Sequence, residues 1–239
     1  MKINNAMKEG IERRGYAFIP YIMGGFPDIS LFKHYLSILD DYGDVIEIGL
    51  PYSDPIADGK TIQEANSIVL KNGYSLDKIL GSLDGTKKPL VIMTYYNRIF
   101  RIGERSFCEK LKEYNISGLI VPDLPVEYSM NLKRFCRERG IENIFLIAPN
   151  TKEKRENRII KNSGSFIYLV QRYGVTGESS VYEPIRITIE RIKKKTKKYI
   201  AVGFGISSSD HVKRIVSMGA HTKPSTISGF STAKPNTAS

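Results

Sequence analysis

Two carboxylic acids in one short stretch could perform acid–base chemistry. Glu47 lies between Ile46 and Ile48, in an apolar run typical of a strand buried on both faces. A carboxyl group there loses hydration, so we expect a raised pKa and proton transfer near neutral pH. Asp58 follows in a loop rich in Pro and Gly that could fold over the same strand end. Two such acids can divide the work, one neutral and transferring protons, the other ionised and stabilising positive charge.

The residue pattern leaves structural alternatives open for both acids. Glu47 could instead pair with a nearby Lys or Arg, or turn to solvent where the strand ends. Asp58 could be a turn residue that caps a helix beginning near Thr61.

Two further segments have the composition of ligand-binding loops. The apolar run that ends at Val170 is followed by a segment rich in Gly, Ser and Thr, long enough to form a lid. The run that ends at Val202 passes through Gly203 and Gly205 into a Ser-rich helix start, whose free N–H groups could bind phosphate. The same glycines would also suit an ordinary tight turn.

The elements that must position these residues alternate regularly along the chain. Seven short apolar runs are separated by amphipathic stretches: Ala17–Met23, Asp44–Ile48, Leu90–Tyr95, Gly118–Val121, Ile144–Ile147, Phe166–Val170 and Tyr199–Val202. This alternation predicts parallel strands with helical crossovers, in a (β/α)8 barrel or an open doubly wound sheet. The barrel is favoured because no GxGxxG turn follows the first run and because polar, Gly-containing segments follow the strands.

The predicted α/β barrel is one unit short. After Ala220 the chain continues with nineteen residues that include four Ser, four Thr and two Pro but no acidic residue. We therefore predict a single TIM-barrel domain over residues 1–220 that lacks or replaces its eighth βα unit. Residues 221–239 are predicted to be a disordered or non-native tail.

Composition narrows the class of protein. The 239 residues carry a net charge of +11, to which the run Lys193–Lys198 contributes five lysines. The chain has no zinc-finger spacing, basic zipper or RNA-recognition motif, so nucleic-acid binding is not expected. No apolar run approaches the ~20 residues of a membrane helix, and the first residues lack the apolar centre of a secretory signal. Cys108 and Cys136 have no CxxC partner, which predicts reduced thiols in a cytoplasmic protein.

Several segments carry a family resemblance when they are taken together and in order. They are PYIMGGFPD, IEIGLPYSDPIADGKTIQ, MTYYN, VPDLPVE, YLVQRYGVTG and AVGFGIS. From residue 1 to about Ala220 the chain resembles the tryptophan synthase alpha chain family, whose fold is a (β/α)8 barrel.

The resemblance implies a retro-aldol cleavage of indole-3-glycerol phosphate to indole and glyceraldehyde 3-phosphate, without metal or cofactor in this chain. Glu47 matches the family's proton-transferring acid, and Asp58 matches the carboxylate that stabilises positive charge on the indole nitrogen. The family's alpha chain docks on a beta chain that uses pyridoxal phosphate, in an α2β2 complex.

The resemblance also assigns binding residues. Those that match the substrate pocket and its lid are Tyr21, Tyr95, Tyr168 and Thr176. Those that match the phosphate site are Gly177, Phe204 and Gly205. Those in segments that resemble the docking surface are Tyr52, Asp54, Pro55, Asn97 and Pro125. For the three tyrosines, ordinary packing at the barrel mouth is the alternative.

The chain departs from the family pattern after Ala220. The family continues there with a strand and a Gly-Ser helix start that completes its phosphate site, and no such sequence follows here. The departure motivates an alternative function, in which a truncated and catalytically impaired alpha chain only docks on a beta chain.

Overall fold

Strands and helices alternate along the chain in the computed structural model, which describes residues 2–170, 178–203 and 209–226. The strands are β1 (Ala17–Met23), β2 (Ile46–Gly49), β3 (Leu90–Met93), β4 (Gly118–Ile120), β5 (Glu142–Ile144), β6 (Leu146–Ile147), β7 (Phe166–Val170), β8 (Tyr199–Gly203) and β9 (Thr222–Thr226). The helices are α1 (Ile3–Arg14), α2 (Ile29–Tyr42), α3 (Lys60–Lys71), α4 (Leu76–Gly81), α5 (Tyr96–Ile102), α6 (Glu104–Glu113), α7 (Met130–Glu138), α8 (Glu153–Asn162), α9 (Glu178–Lys193) and α10 (Ser209–Ser217). Within these ranges no helix combines the length and apolarity needed to span a membrane.

The strands form one parallel sheet that closes on itself. Its order is β5-β4-β3-β2-β1-β9-β8-β7-β6, and every pair is parallel. Only Phe145 separates β5 from β6, so the two ends of this order are successive pieces of one interrupted strand. The sheet is therefore a barrel with eight strand positions, and the predicted (β/α)8 fold is confirmed.

Strand β9 occupies the eighth position, where the sequence predicts a missing or replaced unit. Its backbone pairs with β1 from Ala17 opposite Thr222 to Tyr21 opposite Thr226. The eighth strand is thus present, which corrects the expectation that it could be lacking. Pro224 and the Ser/Thr-rich composition hide it, because Pro is rare in central strands. The division of the chain at residue 220 stays a prediction, and residues 227–239 lie outside the described residues.

Three apolar clusters fill the inside of the barrel and the space between sheet and helices. The inner cluster includes Ile19, Val91 and Phe166, and Ile3 and Met7 of α1 pack into it. Helix α1 therefore closes the N-terminal end of the barrel. The other two clusters lie between the strands and the surrounding helices. The C-terminal strand ends, where barrel enzymes carry their chemistry, have no such helix plug among the described residues.

A buried carboxylate fixes the N-terminal end of β2. The side chain of Asp44 is 3% exposed, and its Oδ2 accepts a hydrogen bond of 2.7 Å from the Phe18 backbone N–H. Its Oδ1 lies 2.9 Å from a guanidinium nitrogen of Arg13, and Arg14 forms a second ion pair with the same carboxylate. Each oxygen of this buried charge thus has a partner, which is the condition for burying it at tolerable cost.

The two cysteines are neighbours in space. Cys108 on α6 and Cys136 on α7 are both buried, their Sγ atoms are 3.3 Å apart, and neither forms a disulfide. Their sequence separation gives no sign of this proximity.

Candidate active site

Glu47 points into the barrel from β2. It lies opposite Tyr21 of β1 and Val91 of β3, both members of the inner cluster, and is 1% exposed. Neither carboxyl oxygen has a hydrogen-bond partner of standard geometry among the described residues. The pKa of Glu47 is raised from 4.5 to about 8, chiefly by burial. The Tyr168 hydroxyl lowers it, and the charge of Asp58 adds a smaller rise. At neutral pH the group is therefore mostly a neutral acid that can donate a proton.

Asp58 lies in the loop that follows β2. The loop position suggests a well-hydrated side chain, but the residue is only partly exposed. Burial raises its pKa from 3.8 to about 6, and a hydrogen bond with the Tyr95 side chain lowers it. Asp58 is thus mostly ionised at pH 7 while Glu47 is mostly protonated. The two carboxyls differ in pKa in the direction that the sequence predicts.

The three tyrosines surround these acids. Tyr21 on β1, Tyr95 after β3 and Tyr168 on β7 are all buried. Burial raises the pKa of Tyr21 and Tyr168 far above 10, and the charges of Glu47 and Asp58 raise both further. Burial and the charge of Asp58 likewise raise the pKa of Tyr95. The structure therefore gathers all five residues into one site, with three neutral hydroxyl groups.

Two glycines make room for the tyrosine rings. A Cβ atom at Gly49 would collide with the hydroxyl end of Tyr21, and one at Gly203 would collide with the ring of Tyr168. Sequence analysis assigned neither glycine to the substrate site. The signal was available, because each glycine ends an apolar strand run where a side chain would otherwise point into the barrel.

The loop that carries Asp58 is held at both ends. The Asn66 side chain accepts a hydrogen bond of 2.8 Å from the Tyr52 N–H and donates one to the Tyr52 carbonyl. Arg98 donates to the Pro51 carbonyl. Further along, the Tyr95 hydroxyl accepts a 2.9 Å hydrogen bond from the Ala57 N–H. These contacts fix where Asp58 stands relative to the barrel, and sequence analysis missed Asn66 and Arg98.

The residues predicted to dock a partner lie in segments that follow β2, β3 and β4. The Tyr52 ring stacks on Tyr95 with 4.9 Å between centroids, and Asn97 donates a 3.1 Å hydrogen bond to the Tyr52 hydroxyl. Asp54 and Pro55 come next in the same loop, and Pro125 follows β4. The predicted interface is therefore continuous with the site through the Tyr52–Tyr95 stack.

Exposed apolar side chains extend the same end of the barrel. They include Ile56 (81%), Tyr128 (77%), Met130 (77%) and Phe100 (67%). They lie in segments that follow β2, β3 and β4, as the predicted docking residues do. Exposed apolar side chains on one face of a protein often mark a surface that binds a partner.

Four predicted residues, Thr176, Gly177, Phe204 and Gly205, lie outside the described residues. Within the described part of the chain, no group of three or more His, Cys, Asp or Glu side chains could hold a metal ion.

Comparison with known proteins gives one consistent result. A family profile described as "Tryptophan synthase alpha chain" matches residues 7–228. The chain is 38% identical over 213 residues to the tryptophan synthase alpha chain of Pyrococcus abyssi, covering 87% of this chain and 86% of the relative. It is 41% identical over 210 residues to that of Arabidopsis thaliana, covering 85% and 76%. A solved structure of the tryptophan synthase a2b2 complex of Pyrococcus furiosus matches with a TM-score of 0.82 and 38% identity, covering 88% of this chain and 87% of that one.

Proposed function

The chain belongs to the tryptophan synthase alpha chain family, and on that premise we propose that Glu47 and Asp58 perform its chemistry. The chain is a lyase of tryptophan biosynthesis that cleaves indole-3-glycerol phosphate to indole and glyceraldehyde 3-phosphate. The observation that carries the assignment of residues is the pair of carboxyls whose pKa values lie on opposite sides of neutrality.

Glu47 acts first as an acid and then as a base. Its protonated carboxyl donates to C3 of the indole ring, which makes the ring an electron sink. The resulting carboxylate accepts the proton of the adjacent glycerol hydroxyl. As that O–H bond breaks, the carbon–oxygen double bond of the aldehyde forms, and the electrons of the C3–carbon bond return to the ring. Indole and glyceraldehyde 3-phosphate leave, and Glu47 is protonated again.

Asp58 stabilises the positive charge that develops on the indole nitrogen when C3 is protonated. An ionised carboxylate in a partly desolvated site interacts strongly with such a charge. The hydrogen bond with Tyr95 and the held loop support this role, because they fix the carboxylate in advance of the reaction.

The remaining binding residues are proposals of the same kind. Tyr21, Tyr95 and Tyr168 line the substrate pocket, which their burial beside the two acids supports. Thr176 closes the lid, and Gly177, Phe204 and Gly205 bind the substrate phosphate, as the family resemblance implies. This chain needs no cofactor for the cleavage, since proton transfer by Glu47 and charge stabilisation by Asp58 suffice.

The partner is a tryptophan synthase beta chain in an α2β2 complex, and pyridoxal phosphate belongs to that partner. We place the interface at Tyr52, Asp54, Pro55, Asn97 and Pro125, with Ile56 and Phe100 beside them. Ile56→Asp should weaken binding of a beta chain by roughly tenfold or more, whereas Ile187→Asp on α9, at another exposed isoleucine, should not. Equal binding of the two variants would show that the interface lies elsewhere on the chain.

The cytoplasm is the proposed location, where two buried reduced thiols are stable.

Indole release tests the assignment of Glu47. Purified wild type, Glu47→Gln and the exposed control Glu64→Gln are given indole-3-glycerol phosphate, alone and with a beta chain. We expect Glu47→Gln to lose about 10²–10⁴-fold in rate, while the control keeps the wild-type rate. Equal rates for wild type and Glu47→Gln would end the proposal, provided circular dichroism shows both folded. The impaired-chain alternative predicts no indole from any variant, and nothing in the comparisons favours it.

A further inference from the structure

A cleft opens at the N-terminal end of the barrel, opposite the acids. Three connecting segments form it, those from α6 to β4, from α7 to β5 and from α8 to β7, together with the residues at the start of α1. Its volume is about 760 Å³. We call it the basal cleft. The strands all begin at this end of the barrel, and neither Glu47 nor Asp58 lines the cleft.

The basal cleft is strongly positive. Six cationic residues line it: Lys2, Lys112, Lys133, Arg137, Arg139 and Lys161. A single carboxylate, Glu142, faces them. That carboxylate is occupied by Ser165, whose N–H and hydroxyl both donate to it, at 2.5 Å and 2.8 Å. The surplus of cations is therefore not neutralised by acids in the cleft.

Most of these cations have no ion-pair partner. Arg139 pairs with Glu109 and Glu138, and Lys133 donates to the Asn162 side chain. No ion pair involves any of the other four within the ranges that the structure describes.

Like charges are also crowded beside the cleft. Burial lowers the pKa of Lys198, the carboxylate of Glu142 partly offsets this, and the charge of Lys133 lowers the pKa by a smaller amount. Cations held this close together are a site where an anion would relieve repulsion.

Helix ends explain part of this charge but not its amount. Lys112, Arg137 and Lys161 lie in the last turns of α6, α7 and α8, where a cation offsets the partial negative charge of a helix C-terminus. That partial charge is about half a unit per helix, whereas each side chain carries a full unit. The convergence of three helix ends and the chain start on one cavity leaves a positive field inside it.

The lining indicates which kind of anion would fit. Asn115 and Asn143 add amide groups, and no Phe, Tyr or Trp is among the described residues that line the cleft. Bases of single-stranded nucleic acid bind by stacking on aromatic rings, so the cleft lacks the means to hold them. Lysine and arginine with amide donors are suited to phosphate oxygens. We propose that the basal cleft binds a small ligand with several phosphate groups, at a site distinct from that of the substrate phosphate.

Calorimetric titration of the full chain with inorganic tripolyphosphate tests the proposal. The variants are Arg137→Glu, Lys161→Glu and the matched control Lys154→Glu, which lies on the same helix as Lys161, is exposed and does not line the cleft. We expect the two cleft variants to raise Kd by about tenfold or more each, and the control by about twofold or less. Indole release should be unchanged in all three, because the cleft is at the other end of the barrel.

Three results would overturn the proposal. The first is no binding of tripolyphosphate by the wild type at about 50 mM salt. The second is equal weakening by Lys154→Glu and Lys161→Glu, which would mean that net charge alone attracts the anion. The third is single-stranded DNA of the same total charge binding as tightly as tripolyphosphate and losing affinity in the same cleft variants, which would identify a nucleic-acid surface.

Discussion

Two buried carboxylates stand three residues apart, one just before β2 and one within it, and their surroundings are opposite in kind. Asp44, two residues before the strand, is 3% exposed and contacts two guanidinium groups and a backbone N–H. Glu47, the second residue of the strand, is 1% exposed and has no hydrogen-bond partner of standard geometry among the described residues. Asp44 thus has cationic and N–H partners, whereas burial without such partners raises the pKa of Glu47 and favours its neutral form.

The difference in surroundings gives the two carboxylates different roles: Asp44 contributes to stability, and Glu47 is suited to the proposed chemistry. Arg13 and Arg14 of α1 and the Phe18 N–H of β1 all bind Asp44, so its carboxylate holds α1 and β1 at the start of β2. Leaving Glu47 without such partners costs stability as soon as the group ionises, and that cost creates an acid useful near neutral pH. The two ends of the barrel also differ in their surfaces. The N-terminal end carries the basal cleft, and the C-terminal end carries exposed apolar side chains.

Removing the charge of Asp44 should have the largest effect on stability. Asp44→Asn breaks two ion pairs of a buried carboxylate, so we expect the free energy of unfolding to fall by about 3–4 kcal/mol. Urea unfolding at pH 7 measures it, with the exposed Asp84→Asn as control, expected within about 0.5 kcal/mol of wild type. The rate of indole release per folded molecule should stay unchanged. A loss of stability below about 1 kcal/mol, or slower indole release per folded molecule, would contradict a purely structural role for Asp44.

The same chemical change at Glu47 should have the opposite sign. The pKa of Glu47 is about 8 in the folded state against 4.5 ordinarily, so between these values the unfolded state binds fewer protons. The stability of the wild type therefore falls as pH rises through this window, by up to about 1.4 kcal/mol per pH unit, whereas Glu47→Gln escapes this loss. We expect the variant to be more stable by about 3 kcal/mol at pH 7 and nearly equal to wild type below pH 4.5. Urea unfolding of both proteins across this range measures the difference, and a difference independent of pH would contradict the assigned shift.

The pH dependence of catalysis should be the smallest effect and the sharpest test of the paired roles. In the proposed mechanism, the reactive form of the free enzyme has Asp58 ionised and Glu47 protonated. We therefore expect kcat/KM for indole release to fall about tenfold per unit below pH 6 and above pH 8. A rate that keeps rising above pH 8 would mean that Glu47 reacts from its ionised form instead.

The residues predicted for the site that lie together in the structure sit where periodicity is informative. Glu47 interrupts an apolar run, so its burial and raised pKa could be predicted from its neighbours. Helix α5 could not be recognised from periodicity because it has only seven residues and begins where the apolar run Leu90–Tyr95 ends. Strand β9 was missed because its pairing with β1 and β8 overrides a composition poor in strand-forming residues.

Local pattern determined the alternation of strands and helices and the barrel class, and it singled out the two acids as candidates, because strand and helix periodicities are properties of neighbours in the chain. Only the tertiary structure decided which side chains from distant parts of the chain contact one another. Asn66 and Arg98 reach the loop of Asp58, and Cys136 reaches Cys108. Three helix ends converge on one basal cleft. Such meetings depend on how parallel strands close into a barrel, a property of pairing between distant segments that no stretch of sequence contains by itself.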